Sequence, residues 1–269
     1  MLLDVDHLSL YRYAAPVRSV VQSHRLTPSR CASQKVVQWE VQVSGATKGA
    51  GFTDGAGDAI QAWTVSGPVT EVAVTVRGRV ETSDTAGVLR SHRESAPPEV
   101  YLRDTPATAL DGALRDLAAG VPGGETLSMC HDLSHAVAEA IAYRPGTTTG
   151  RTTAAEALAQ GMGVCQDHAH ALIACARVHE VPARYVSGYL FADASGAAHE
   201  AAHAWAELFV PGLGWVGFDP ANRCCPDDRY IRLGSGFDAS AAAPIRGIAR
   251  GMAGDGALDV RLSVVAAQQ

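Results

Sequence analysis

The spacing of apolar residues moves along this chain from every second position to every third or fourth and then back, which requires a fold that joins sheet to helix. Up to about residue 85 the alternation is strand-like: Val37, Trp39, Val41 and Val43, then Val72, Val74, Val76 and the residues that follow to Thr82. Ala59 to Val65 and Leu3 to Tyr13 read as further strands, and the glycine-rich stretch Ser44 to Gly57 as turns between them. Pro97-Pro98 and Pro106 then mark a linker. Beyond it Ala109 to Ala119, Leu127 to Tyr143, Ala154 to Gln160 and Cys165 to His179 have helical texture, with Leu133, Val137, Ala140 and Ile141 on one stripe. Val181-Pro182 ends the last of them. Arg184 to Phe191 reads as a strand, residues 203–219 as a hairpin, and Leu258 to Val265 as a final strand after an irregular stretch.

The expected fold class is therefore α+β. An N-terminal antiparallel β-sandwich or barrel-like domain over 1–90 precedes an α+β core over 91–245, and a C-terminal strand segment fills 246–269. Hydrophobic residues make up 47% of the 269, which excludes a disordered chain, and the net charge of −6 offers nucleic acid or an anionic membrane no general attraction. No run of about 18 apolar residues marks a membrane span. Met1 to His7 carries acids where a secretory signal carries base. A cytoplasmic protein without nucleic-acid or membrane partners is expected. Cys31, Cys130, Cys165, Cys175, Cys224 and Cys225 then read as reduced thiols, with Cys175 in the core.

One of those thiols is placed for chemistry. In Gly161-Met162-Gly163-Val164-Cys165-Gln166-Asp167, two glycines permit a close backbone approach and a helix starts at Cys165. The sulfur would face unpaired N–H groups and the positive end of the helix dipole, which favour a thiolate and would also hold an oxyanion. Gly163 is on this account a substrate-side position, and Asp167 a helix-start cap.

The hairpin supplies a base and an orienter. A three-residue loop Val210-Pro211-Gly212, with Gly212 at positive φ, pairs Phe209 with Leu213 and His203 with Asp219. His203, Trp205, Glu207 and Asp219 then share a face, whereas an even loop would turn Asp219 away. Asp219 is expected to accept the Nδ1 proton of His203, and His203 to take the thiol proton. Trp205 is a candidate cleft-lining residue, Glu207 a candidate supporting acceptor, and Trp215 a core aromatic. His131 and His135, four apart and beside Cys130, have the spacing of two helical metal ligands, but no third ligand is evident. A packing or solvated pair is expected there, so neither metal nor cofactor is assigned. His168, His170 and His199 receive no role.

Gly163-Val164-Cys165-Gln166-Asp167, His203-Ala204-Trp205 and Phe218-Asp219-Pro220-Ala221-Asn222 together resemble the three core motifs of bacterial transglutaminase-like proteins, members of the papain-like thiol superfamily. Tyr11-Arg12-Tyr13 followed by Pro16-Val17 is similar to the β-rich region that precedes this core in many of them. The resemblance implies a helix carrying Cys165 as nucleophile, packed on an antiparallel sheet carrying His203 as base and Asp219 as third member. It implies a cofactor-free thiol enzyme acting on amide, peptide or isopeptide carbonyls of a peptide or protein, by hydrolysis more than by crosslinking. A silent binding or scaffold protein is the alternative. The Gly-Arg-Asp-Tyr segment many members carry after the Asp motif is replaced here by Gly234-Ser235-Gly236-Phe237-Asp238.

Overall fold

The computed structural model describes residues 1–191, 202–251 and 256–267. Its first half is a six-stranded antiparallel sheet built on two long strands, β1 (Leu2–His24) and β4 (Ala59–Thr82). Their pairing shifts register between Arg12 and Ser19, around Val17. Such irregularities bend a sheet, and here they divide it. The outer ends of the long strands pair with β12 (Gly256–Ala266) and β2 (Gln34–Val43), the inner ends with β11 (Ile245–Arg250) and β3 (Ala46–Thr53). The sheet curls as a result, and alternate residues Val72, Val74, Val76 and Val80 face its fully buried interior.

Two local readings are corrected. The glycine-rich stretch contains β3, an edge strand beside β4, where an added Cβ on Gly49 would come within 3.2 Å of the Ala62 side chain. The segment after Pro220 is not irregular, since it holds β10 (Tyr230–Gly236) and β11. Residues 230–235 are all buried, and the one alternating step of β10, Ile231-Arg232-Leu233, is too short to mark a strand before the glycines that follow. β11 and β12 complete the first sheet, which places the C-terminal segment within the N-terminal fold.

The second half packs helices on a four-stranded sheet of order β10-β7-β8-β9, with β7 at Ala183–Leu190, β8 at Ala202–Val210 and β9 at Gly214–Phe218. Two short 3-10 turns at Pro98–Leu102 and Pro106–Thr108 lead into α1 (Gly112–Ala119) and α2 (Thr126–Ala140). After β5 (Ala142–Tyr143) come α3 (Ala154–Gln160), β6 (Met162–Gly163) and α4 (Cys165–Val178). α3 opens on a capping box, Thr153 with Glu156, and closes on Gly161 at φ 65°. α4 is central: its Ala169, Leu172, Ile173 and Ala176 are fully buried among the other helices and β8. Among the described residues no helix is long and apolar enough to cross a membrane.

The halves share material. Tyr189, Ile231 and Leu233 of the second sheet lie in the apolar cluster inside the first. A chain of buried charges crosses the same boundary. Glu207 on β8 accepts from Arg184 Nε at 2.7 Å and from Arg232 Nε at 2.8 Å, and Arg232 also donates to Asp58 on the N-terminal side at 2.7 Å. Asp58 further accepts from Ser235 N at 2.6 Å. Arg184 lies 4.0 Å over the Trp215 ring and donates to Glu94. Burial pushes the Glu207 pKa up, but the charges of Arg232 and Arg184 and their hydrogen bonds outweigh it and hold it at about 2.

Glu207→Gln should therefore leave two buried guanidinium groups short of a counter-charge and cost about 3–5 kcal/mol in urea unfolding at pH 7. A depressed carboxylate stabilises the fold above its unfolded pKa and loses that contribution below its folded one. In the wild type, this contribution should be constant above the ordinary value of 4.5 and fall away as the pH drops towards about 2.

Candidate active site

α4 begins at Cys165, with Val164 as the residue before its first turn. The carboxylate of Asp167, two residues into the helix, folds back to accept from Val164 N at 2.8 Å and from the Thr148 hydroxyl at 2.6 Å. Gly163 makes this possible, because a Cβ there would sit 2.7 Å from the same carboxylate oxygen. Its part in the site is thus to admit the Asp167 cap beneath the thiol. Cys165 is half-buried at the helix start, where the first N–H groups have no intrahelical partner.

The hairpin turns as its sequence requires, though one step later than the sequence suggests. Pro211 and Gly212, the latter at φ 83°, form a tight turn closed by Leu213 N donating to Val210 O at 3.0 Å. Leu213 is spent in that turn, so pairing restarts at Val210 with Gly214 and runs to Ala206 with Phe218. The loop is Pro211-Gly212-Leu213, not Val210-Pro211-Gly212. Its length is still odd, so Asp219 keeps the face of His203, displaced by one pair to lie across from Trp205.

His203 and Asp219 meet all the same, through a different nitrogen from the one expected. Nε2 of His203 lies 2.6 Å from Asp219 Oδ2. Asp219 thus holds Nε2 rather than the expected Nδ1, and Nδ1 is the ring nitrogen it leaves over. The carboxylate is 0% exposed and surrounded by donors: the Asn222 side chain at 2.7 Å, the Tyr230 hydroxyl at 2.8 Å, and Asn222 N at 3.2 Å to the other oxygen. Burial raises its pKa, yet the His203 hydrogen bond and charge, with Asn222 and Tyr230, bring it below the ordinary value. For His203, burial lowers the pKa, but hydrogen bonds with Asp219 and Cys165 and their charges raise it to about 10. Cys165 and His203 line the same cleft, which brings the helix start beside the hairpin.

Trp205 does not line the cleft. It is 2% exposed, stacked 6.4 Å behind the His203 ring and edge-on to Tyr230 at 5.5 Å. Gly188, opposite His203 on β7, leaves room for it, since a Cβ there would lie 2.6 Å from the indole. Glu207 shares the face but serves the arginines. Asn222 lies in the motif Phe218-Asp219-Pro220-Ala221-Asn222 without an expected contact to the carboxylate, and Tyr230 falls in the stretch after Pro220 that reads as irregular. His131 packs edge-on against Phe218 at 5.0 Å, and His168 is buried between the carbonyls of Val164 and Ile141. Among the described residues no group of three or more His, Cys, Asp or Glu is arranged to hold a metal ion. His199 lies outside the described residues.

Tyr230→Phe and Asn222→Ala each remove a donor from a buried carboxylate and should cost about 1.5–3 kcal/mol in denaturant unfolding. Gly163→Ala should cost about 1–3 kcal/mol by the same measurement, because the methyl displaces the Asp167 cap.

The comparisons agree with this architecture. Residues 115–220 match the Transglutaminase-like superfamily and residues 3–81 the Bacterial transglutaminase-like N-terminal region. An uncharacterized Mycobacterium tuberculosis protein is 30% identical, with 97% of this chain and 91% of its own length aligned. One from Mycobacterium leprae is 29% identical, with 97% of each chain aligned. Among solved structures, a "Putative Cysteine Protease from Cytophaga hutchinsonii" superposes with a TM-score of 0.75 at 18% identity, covering 100% of this chain and 91% of that one, a likeness of fold. By sequence over residues 3–81 and 115–220, and with a relative 30% identical over 97% of it, the chain belongs to the bacterial transglutaminase-like family.

Proposed function

We propose that the protein is a thiol hydrolase that cleaves amide, peptide or isopeptide carbonyls of a peptide or protein through a thioester on Cys165. The observation that carries the proposal is the His203 ring, held by Asp219 through Nε2 and lining one cleft with Cys165 at the start of α4. Asp219 sets the tautomer and supports the imidazolium, while its own charge is spread over Asn222 and Tyr230.

The sulfur attacks the carbonyl carbon, and the π electrons move onto oxygen beside the free N–H groups of the first turn of α4. Collapse of the tetrahedral adduct expels the amine, which takes the proton of His203. His203, now neutral, removes a proton from water as the water oxygen attacks the thioester. The carboxylic acid departs, the sulfur is freed and His203 again carries the proton. The thiol faces an open cleft, so water reaches the thioester, which favours hydrolysis over transfer to an amine.

Iodoacetamide at pH 6 should alkylate Cys165 ahead of the other cysteines, and His203→Ala should slow that alkylation by about tenfold or more. Equal, slow labelling of all six cysteines would instead mark a scaffold that keeps the fold without the chemistry. The proton that leaves with the amine sits on His203, whose pKa is raised to about 10, so kcat/KM should hold through neutral pH and decline only as the pH passes that value. An alkaline decline near the ordinary histidine value of 6.5 would contradict this assignment.

A further inference from the structure

The cleft that contains Cys165 has a volume of about 380 Å³ and is walled by both halves of the molecule. Tyr185 lines it from the core, and Tyr11 of β1, Ile245 of β11 and Leu258 and Val260 of β12 line it from the curled sheet. Leu258 and Val260 are 55% and 47% exposed, large apolar side chains kept in water beside a thiol. β12 holds them in place by pairing Leu258 with Tyr11 and Val260 with Ser9.

Apart from the Cys165–His203 pair, the cleft carries no charge: among the described residues no Lys, Arg, Asp or Glu side chain lines it. Its remaining histidine, His7, is tied up in the wall, with Nδ1 2.8 Å from the Tyr189 hydroxyl and Nε2 2.9 Å from Ser9 Oγ. Burial lowers the pKa of His7 to about 4, so at neutral pH the ring offers no counter-charge. A second cavity, over Phe218, is lined by Asp132, Arg223, His131 and His135 but not by the thiol. The acyl group stays on sulfur between the two steps of the proposed reaction, so its side chain must be housed where the sulfur is. An ionised side chain there would lose water without gaining a partner among the described residues, whereas an apolar one would cover Leu258, Val260 and Tyr11.

We infer that the curled sheet is the specificity wall of the enzyme, and that β12 selects an uncharged, apolar residue on the acyl side of the scissile bond. The inference rests on the thioester reading above and goes beyond it by naming the substrate class.

N-acetyl dipeptidyl acyloxymethyl ketones that differ only in the residue beside the ketone (Leu, Phe, Glu or Lys) test it, read as the rate at which Cys165 gains the peptide mass. Leu and Phe probes should label the wild type about tenfold or more faster than Glu or Lys probes. Val260→Lys should raise the Glu-to-Leu rate ratio by about fivefold or more, and Val260→Glu the Lys-to-Leu ratio likewise. Ratios within one variant are insensitive to how much of it is folded. Equal rates for all four probes, or ratios unmoved by both substitutions, would overturn the inference while leaving His203-dependent alkylation by iodoacetamide intact. Loss of that dependence in the wild-type comparison would overturn the thioester reading itself, and the inference with it.

Discussion

Arg184, Glu207, Arg232 and Asp58 form a line of alternating charge through the interior that ties the second sheet to the N-terminal side. None is more than 4% exposed. Charges so buried are tolerated only when each has its partners, and removing one partner costs several kcal/mol. The partners come from β7, β8, β10 and the turn before β4, so the line is complete only when both sheets are in place. Gln34 and Ser29 seal the same boundary by bonding the backbone of Arg232. What the line contributes is definition: one orientation of the curled sheet against the core, and hence one shape of cleft.

β8 connects that line to the chemistry through its two faces. His203, Trp205 and Glu207 point one way, with Arg184 opposite Glu207 and Gly188 opposite His203. Ala204, Ala206 and Leu208 point the other way and are buried against α4. Small alanines on both β8 and α4 let the helix approach the sheet closely, which carries its N-terminus and Cys165 to the strand end where His203 starts. Trp205 fills the space behind the imidazole and restricts its rotation. The ring is positioned from behind by packing and from the side by Asp219.

How much of this could be read beforehand depended on the range of the interaction. The start of α4 at Cys165 was legible because glycines, a cysteine and an Asp cap act within one turn of chain. The parity of the hairpin was legible because Pro211-Gly212 is a local turn signal, but its register was not. Whether Leu213 belongs to the turn or the strand is decided by Gly214, at φ 84°, and by the strands it joins. Tyr230 was invisible because its hydroxyl finds Asp219 across a loop, and β10 because its one alternating step is too short to mark a strand.

The amino-acid order alone dictates the long strands and the helices, the odd hairpin that keeps Asp219 on the face of His203, and the cysteine at a helix start. Each of these arises from residues a few positions apart, where backbone sterics and side-chain period suffice. Long-range packing settled which nitrogen of His203 meets Asp219, what surrounds that carboxylate, and where Glu207 and Trp205 spend their side chains. It also decided that a strand from the far end of the chain walls the thiol cleft. Those outcomes depend on groups tens to hundreds of residues apart competing for the same buried space, and no local pattern records which pair wins.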